Sequence, residues 1–275
     1  MGKDTSSLGD RMKSYENVTR NYLTRRTPVI IRIDGCHFHT FTRGMDKPYD
    51  EVFCKSMQDT MKFLCKNVQN CVLGYTQSDE ITLVLCDYKK LNTAAWFDNN
   101  RNKIISVSAS LATLEFNSAF LSNAFDAMYD CCGDTIGGEV NPGRQADFER
   151  YDYYTRTKAH KATFDARAFN IPVSEVCNCL IWRQQDATRN SIQCLGQKYF
   201  SHKQLEGKNQ NEIQDMLMVE KGVNWNNVAT KFKRGSCCIK GENGWVIDNE
   251  IPIFTKDRGY IEERIIFPKQ RSEKC

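Results

Sequence analysis

The sequence lacks several features that would place it in a common class of protein. Its 275 residues contain no uninterrupted apolar run of about 18 residues, and residues 1–7 carry no apolar leader. We therefore expect no transmembrane helix, no signal peptide and no membrane partner. No C-x-x-C pair occurs among the 13 cysteines, which argues against a zinc knuckle. An odd cysteine count without a secretory leader predicts reduced thiols and a cytoplasmic protein.

A large excess of charge of one sign is also absent. The net charge is +4, which permits a nucleic-acid partner without requiring one. Hydrophobic residues make up 40% of the chain and charged residues 26%. This balance is typical of a globular enzyme built from one large domain or two modest ones.

Apolar periodicity predicts alternating strands and helices over the first 200 residues. Short β-branched and apolar runs indicate buried strands, and apolar residues three and four apart indicate helices. Residues 130–162 are Gly-rich and charged without a clear period, so we interpret them as an insertion or long loop. The predicted strands are 29–33, 71–75, 81–85 and 163–169, and the predicted helices are 10–26, 50–68, 100–122 and 173–200.

The resulting order β-α-β-β-α-β predicts a ferredoxin-like α/β (α+β) fold, the palm of polymerases and cyclases, with helices on one face of the sheet. We assign residues 1–200 to this palm catalytic domain. Residues 201–275 form a smaller C-terminal region that we expect to pack on the palm. It contains a predicted helix at 211–221 and predicted strands at 236–240 and 245–248.

Carboxylates fall at two informative places in this order. Asp34 ends the first strand, and Asp79 and Glu80 lie between the second and third strands. The first and third strands of such a sheet are adjacent, so Asp34 and Asp79 converge on one edge. Two close carboxylates need a neutralising cation, and oxygen ligands suit Mg²⁺, of which a pair can promote phosphoryl displacement. The alternative, an Asp-Gly turn and a solvated acidic hairpin tip, stays open.

Residues flanking these carboxylates could bind a triphosphate. Cys36-His37-Phe38-His39 follow Gly35 and could turn backbone N–H groups toward phosphate oxygens. Lys47 could contact the β- and γ-phosphates as a point charge, and Ser78 could donate a hydrogen bond. Loop packing of the histidines and a solvated Lys47 are the competing interpretations. A zinc site at His37 and His39 has no evident third ligand.

Several motifs together resemble the tRNA-histidine guanylyltransferase family. Arg32-Ile33-Asp34-Gly35-Cys36-His37-Phe38-His39 resembles its first metal motif, and Gln77-Ser78-Asp79-Glu80 resembles its second. The resemblance covers about residues 10–240. It continues at Lys47-Pro48, Trp96-Phe97, Phe164-Asp165-Ala166-Arg167, Trp182-Arg183-Gln184-Gln185-Asp186, Leu205-Glu206-Gly207-Lys208 and Lys233-Arg234-Gly235.

The resemblance implies a 3′-to-5′ nucleotidyltransferase that acts on tRNA in two steps. An NTP activates the tRNA 5′-monophosphate, and the 3′-hydroxyl of an incoming NTP then attacks the activated end. ATP and GTP or other NTPs would be substrates, and a homotetramer is implied. Asp34, the Gly35 carbonyl and Asp79 would hold two Mg²⁺ ions with Glu80 in support. Residues 36–39, Lys47 and Ser78 would bind triphosphate, and Lys103 and Arg167 would bind a second nucleotide or the 5′ phosphate.

One departure from the family pattern bears on the substrate. The guanylyltransferases proper carry His-Ile-Asn-Asn where this sequence has Thr188-Arg189-Asn190-Ser191. In that family the signature is associated with specificity for histidine tRNA. Its replacement resembles the guanylyltransferase-like branch and predicts template-dependent repair of 5′-truncated tRNA. Guanosine addition to histidine tRNA, a nucleotide cyclase and a non-catalytic RNA-binding protein stay open as alternatives. We predict tRNA phosphate contacts at Lys198, Lys203, Lys208, Lys231, Lys233 and Arg234, whose alternative is a solvated basic face.

Overall fold

The computed structural model describes residues 6–132 and 142–267. Four antiparallel strands of its sheet are adjacent in the order β4-β1-β3-β2. They are β1 (Val29–Gly35), β2 (Cys71–Gln77), β3 (Glu80–Leu85) and β4 (Phe164–Asn170). This order is that of a ferredoxin-like fold, and it confirms the predicted adjacency of the first and third strands.

Two further strands extend the sheet beyond β2. β5 (Ser236–Gly241) pairs with β2, and β6 (Gly244–Asp248) pairs with β5. The C-terminal region therefore contributes strands to the same sheet as the palm. The division of the chain near residue 200 stays a prediction.

The helices of the described residues follow the predicted order, with several changes in extent. Asp50 caps the helix after the first strand, because its side chain accepts a hydrogen bond from the Phe53 amide. The helices are α1 (Leu8–Asn17), α2 (Phe38–Phe41), α3 (Glu51–Asn67), α4 (Arg101–Cys132), α5 (Pro142–Thr157), α6 (Val173–Tyr199), α7 (His202–Leu205), α8 (Gln210–Lys221), α9 (Thr230–Arg234) and α10 (Gly259–Ile265).

Helices cover both faces of the sheet, so the prediction of helices on one face was wrong. Ile31 and Ile33 point into a core shared with α3 and α4. Ile30, which alternates with them on β1, and its cross-strand partner Val84 point into a second core shared with α6 and α10. Both faces of the central strands are apolar, and an apolar face must be covered to be removed from water.

The interpretation of residues 130–162 as a loop was wrong for residues 130–132 and 142–157, which are helical, and their interpretation as an insertion stays a prediction. α4 continues to Cys132, and α5 occupies Pro142–Thr157. The fully buried Tyr154 of α5 packs its ring 5.9 Å from that of Phe120 on α4. α5 carries few apolar residues, so periodicity did not reveal it. Residues 133–141 lie outside the described part.

α4 is long and apolar enough, by length and composition, to cross a membrane. Its inner side, which includes Ala112, Phe116, Phe120 and Ala124, is buried in the core beneath the sheet. The helix therefore has a packing role in this fold that accounts for those apolar residues.

Candidate active site at the carboxylate edge of the sheet

The structure brings the two predicted metal-binding carboxylates to one edge of the sheet. Asp34 lies near the end of β1, and Asp79 lies in the turn between β2 and β3. The Gly35 amide donates a hydrogen bond of 3.0 Å to the Asp79 carbonyl, which ties this turn to the end of β1. Ser78 turns the chain with a left-handed φ of 49°.

The electrostatics of this edge favour a bound cation. Burial raises the pKa of the Asp79 carboxyl, and the negative charge of Asp34 raises it further, while its own amide and Ser78 oppose the shift. In residues 6–132 and 142–267, neither carboxylate forms an ion pair with a lysine or arginine. Two close carboxylates without a protein cation are stabilised by a divalent ion.

The donor set fits Mg²⁺ better than a transition metal. Within the described residues, no group of three or more His, Cys, Asp or Glu side chains is arranged to hold a metal. Asp34, Asp79 and the carbonyl of the adjacent Gly35 are all oxygen donors. Mg²⁺ is commonly bound through one or two carboxylates and completes its shell with waters and substrate phosphate oxygens.

Glu80, the third predicted acidic residue, forms ion pairs with two arginines. Its carboxylate accepts a hydrogen bond of 2.9 Å from Arg183 on α6, and the Arg32 guanidinium lies 3.9 Å away. Both Glu80 and Arg183 have side chains only 8% exposed. Burial raises the pKa of Glu80, and the charge of Arg183 opposes that shift. The Glu80 side chain therefore points from β3 toward α6 and links the sheet to that helix.

The sequence contained a signal for this ion pair. Arg183 follows Val176 and Leu180 at helical spacing, so it falls on the apolar side of α6 that faces the sheet. A charged residue in such a stripe requires a buried partner of opposite charge.

The segment after β1 is shaped by a close approach of Gly35 and Phe38. A Cβ atom on Gly35 would lie 2.3 Å from the Phe38 ring, so only glycine fits there. Phe38 is buried against Phe41, whose ring centroid lies 5.0 Å away. His37 adopts a left-handed φ of 57° and begins the short helix α2. The first amides of a helix have no intrahelical acceptor and can bind phosphate oxygens.

A cavity of about 500 Å³ opens beside Ser78. Its wall includes Lys47 from the loop after α2, Lys198 from α6 and Lys231 from α9. Its volume lies within the range of about 300–1,000 Å³ that is usual for small-molecule sites. The wall carries these three lysines against two aspartates, Asp46 and Asp50, a balance that favours an anionic ligand such as a triphosphate.

An aromatic pair forms part of the cavity wall. The rings of Tyr49 and Phe232 stack with centroids 4.7 Å apart and planes 6° from parallel. The buried Ser191 hydroxyl lies 2.7 Å from the Tyr49 hydroxyl and accepts a bond of 3.1 Å from Trp225. Ser191 is the last of the four residues that replace the family's His-Ile-Asn-Asn signature. Its hydrogen bonds therefore stabilise the wall of the cavity.

Sequence reasoning missed that α5 holds the loop that carries Lys47. The Tyr154 hydroxyl donates a 2.5 Å hydrogen bond to the Asp50 carboxylate and accepts one of 3.0 Å from the Asp46 amide. The buried Lys158 ammonium donates to the carbonyls of Phe41 and Arg43 at 2.5 and 2.6 Å. These contacts come from a segment interpreted as a loop, so sequence alone offered no signal for them.

The remaining predicted nucleotide ligands lie at different distances from this edge. Arg167 on β4 is the cross-strand partner of Arg32 on β1, so the two side chains lie on the same face of the sheet. Asp34 lies on that face too, because it is two residues after Arg32 on the same strand. Lys103 lies near the start of α4, where Arg101 donates to the Ala168 carbonyl near the other end of β4. The structure therefore does not bring Lys103 to the carboxylates within one chain.

The residues predicted to contact tRNA differ in their local contacts. Lys198 and Lys231 line the cavity, and Lys231 also pairs with Glu51 at 2.5 Å. Lys233 donates to the Asn226 carbonyl at 2.6 Å. Lys203 is exposed on α7, Lys208 pairs with Glu212 at 3.6 Å, and Arg234 lies 3.4 Å from the Thr230 hydroxyl.

A ferredoxin-like palm with two carboxylates at one sheet edge, beside a lysine-lined cavity, is typical of enzymes that carry out phosphoryl transfer from nucleotides. Residues 9–172, more than half of the chain, match the family model described as tRNAHis guanylyltransferase, Thg1. The chain therefore belongs to the tRNAHis guanylyltransferase family, and it is a nucleotidyltransferase.

Solved structures and curated relatives agree with this assignment. A bacterial tRNAHis guanylyltransferase-like protein in complex with ATP is 44% identical, with a TM-score of 0.79, and the match covers 94% of this chain and 99% of that one. Another such bacterial structure, in complex with GTP, is 37% identical, with a TM-score of 0.70 and coverage of 94% and 99%. The tRNAHis guanylyltransferase of Saccharomyces cerevisiae is 28% identical over 82% of this chain and 87% of its own length.

Proposed function

We propose that the protein repairs 5′-truncated tRNA by adding nucleotides in the 3′-to-5′ direction, directed by the opposite strand of the acceptor stem. The observation that carries this proposal is the convergence of Asp34 and Asp79 at one sheet edge, beside a cavity lined by Lys47 and Ser78. Each group matches a need of phosphoryl transfer from a triphosphate.

The cavity would bind the activating nucleotide. Lys47 would neutralise the β- and γ-phosphates, and Ser78 would donate a hydrogen bond. The amides of His37, Phe38 and His39 would face the phosphate oxygens. The Cys36 amide, which the sequence also suggested for this role, instead donates to the Thr163 carbonyl at 2.9 Å. ATP and GTP are supported as substrates, because the similar bacterial proteins are described in complex with them.

Asp34, Asp79 and the Gly35 carbonyl would hold two Mg²⁺ ions, which supply charge stabilisation for the attacking and leaving oxygens. In the first reaction, an oxygen of the tRNA 5′-phosphate forms a bond to the nucleotide α-phosphorus, and pyrophosphate leaves. In the second, the 3′-oxygen of the incoming NTP bonds to the activated 5′-phosphorus, loses its proton, and the nucleoside monophosphate leaves.

The replacement of the histidine-specific signature supports repair over guanosine addition to histidine tRNA. The last position of that segment, Ser191, is buried and bonded to Tyr49 and Trp225, so its side chain is committed to the cavity wall. The 44% identity to a bacterial guanylyltransferase-like protein supports the same branch. The implied homotetramer remains part of the proposal, and light scattering would measure it.

An extension assay tests the proposal. A labelled, 5′-monophosphorylated tRNA that lacks its first nucleotide is incubated with Mg²⁺, ATP and each NTP, for all four template nucleotides. We expect addition of only the complementary nucleotide and loss of activity in Asp79→Asn. Asp215→Asn, the same substitution at an exposed position on α8, is the matched control and should behave like wild type.

Three results would contradict the proposal. Guanosine addition to full-length histidine tRNA alone would favour the histidine-specific activity. Cyclised nucleotide formed without RNA would favour a cyclase. RNA binding that Asp79→Asn leaves intact, without any extension, would favour a non-catalytic RNA-binding protein.

A further inference from the structure

Trp182 is a large aromatic residue close to the carboxylate edge, and it has no role in the two reactions of the proposed function. It lies on α6 and is 48% exposed. The Cζ atom of the buried Arg183 lies 3.5 Å from the centroid of its ring. This cation–π contact covers one face of the indole and orients the ring, while nearly half of the residue's surface stays accessible to a ligand.

The contacts of two arginines place this ring near Asp34. The Arg32 guanidinium lies 5.7 Å from the ring centroid, and Arg32 precedes Asp34 by two residues on the same face of β1. Arg183, which covers the ring, bonds to Glu80, and Glu80 is the cross-strand partner of Asp34. The indole is therefore adjacent to the place where the reacting 5′ end must lie.

The sheet face beside the ring carries a further arginine, Arg167, which pairs at 3.9 Å with the exposed Asp165. Arg167 is directly opposite Arg32 on the same sheet face, and its side chain is 54% exposed. An exposed aromatic ring stacks a base, and a guanidinium beside it pairs with a phosphate. The ring is not part of the wall of the lysine-lined cavity, so it does not compete for the activating nucleotide.

We propose that the indole of Trp182 stacks on the 5′-terminal nucleobase of the RNA, with Arg167 beside the adjoining phosphate. This inference rests on the proposed function, because it concerns the RNA end that would be extended. Stacking on an aromatic face is tolerant of base identity. Such a contact suits an enzyme whose added nucleotide is dictated by the template strand and varies from one substrate to another.

The test distinguishes two roles of Trp182: stacking on a base of the RNA, and shielding the Arg183–Glu80 ion pair from water. Trp182→Leu keeps an apolar cover but has no π face, whereas Trp182→Phe keeps both. The RNA is a 5′-truncated tRNA assembled from two synthetic strands, with either a normal or an abasic 5′-terminal nucleotide. Fluorescence anisotropy gives its Kd, and the extension assay gives KM for RNA and for NTP separately.

We expect Trp182→Leu to weaken binding of the normal RNA by roughly 5- to 100-fold, while Trp182→Phe stays near wild type and KM for NTP is unchanged. On the abasic RNA, wild type and Trp182→Leu should bind alike. Equal losses on both RNAs, or equal defects in both variants together with a lowered Tm, would overturn the stacking proposal alone. A wild-type protein that extends no tRNA would overturn the proposed function with it.

Discussion

Replacing Glu80 by Gln distinguishes two roles for a carboxylate that sits next to the candidate metal site. In the structure, Glu80 neutralises the buried Arg183 at 2.9 Å and lies 3.9 Å from Arg32. If this contact defines its role, Glu80→Gln removes a buried charge partner and leaves a buried guanidinium. If Glu80 is instead a metal ligand, the same change weakens Mg²⁺ binding with little effect on folding.

The magnitude of the loss follows from the burial of the pair. Removing one partner of a buried ion pair costs about 3–5 kcal/mol. Arg183 keeps a second carboxylate, Asp186, at 3.5 Å, and a Gln amide oxygen can still accept a hydrogen bond. We therefore expect a loss of about 2–3 kcal/mol in the free energy of unfolding. For a chain of this size, this corresponds to a fall in Tm of roughly 4–12 °C.

Urea and thermal denaturation of Glu80→Gln, Arg183→Met and the double variant measure this effect. The double variant should lose less than the sum of the single losses, because no uncompensated charge stays buried. Activity titrated with Mg²⁺ at a temperature where the variants are folded should show an unchanged half-saturating concentration. An unchanged Tm with a raised Mg²⁺ requirement would refute the reasoning and make Glu80 a metal ligand.

Three further predictions follow from other contacts of the site. Gly35→Ala should cost about 1–3 kcal/mol of unfolding free energy and abolish extension, because the new Cβ would overlap the Phe38 ring; denaturation and the extension assay would measure both. The pKa of the Asp79 carboxyl is higher in the folded protein than in the unfolded chain. Its ionisation therefore lowers the free energy of unfolding as pH rises from the unfolded pKa near 3.8 through the folded pKa. Without divalent cations, Asp79→Asn should therefore melt higher than wild type at pH 7 but not near pH 4, and Mg²⁺ should raise the Tm of wild type only; a higher wild-type Tm at pH 7 in EDTA would contradict this. Tyr154→Phe removes the hydroxyl that bonds Asp50 and should raise KM for the activating NTP, with a loss of about 1–2 kcal/mol in stability, whereas an unchanged KM would show that α5 does not position the loop.

Local sequence order was enough to predict the four strands of the palm and the place of the two carboxylates. The β-branched run that became β1 and the apolar runs that became β2 and β3 led to the order confirmed by the pairing of β1 with β3. The proximity of Asp34 and Asp79 follows from that order. When β1 pairs with β3, the end of β1 comes to lie beside the turn that precedes β3. The roles of these residues stay predictions.

Tertiary structure decided what lies around those carboxylates. α5 has few apolar residues and is held by contacts such as Tyr154 with Asp50, 104 positions apart, which no local pattern encodes. The pairing of Glu80 with Arg183 spans 103 positions and depends on α6 covering the second face of the sheet. Whether a carboxylate is available to a cation or already neutralised depends on which charges the packing places beside it, and Coulomb energies are set by those distances rather than by sequence spacing.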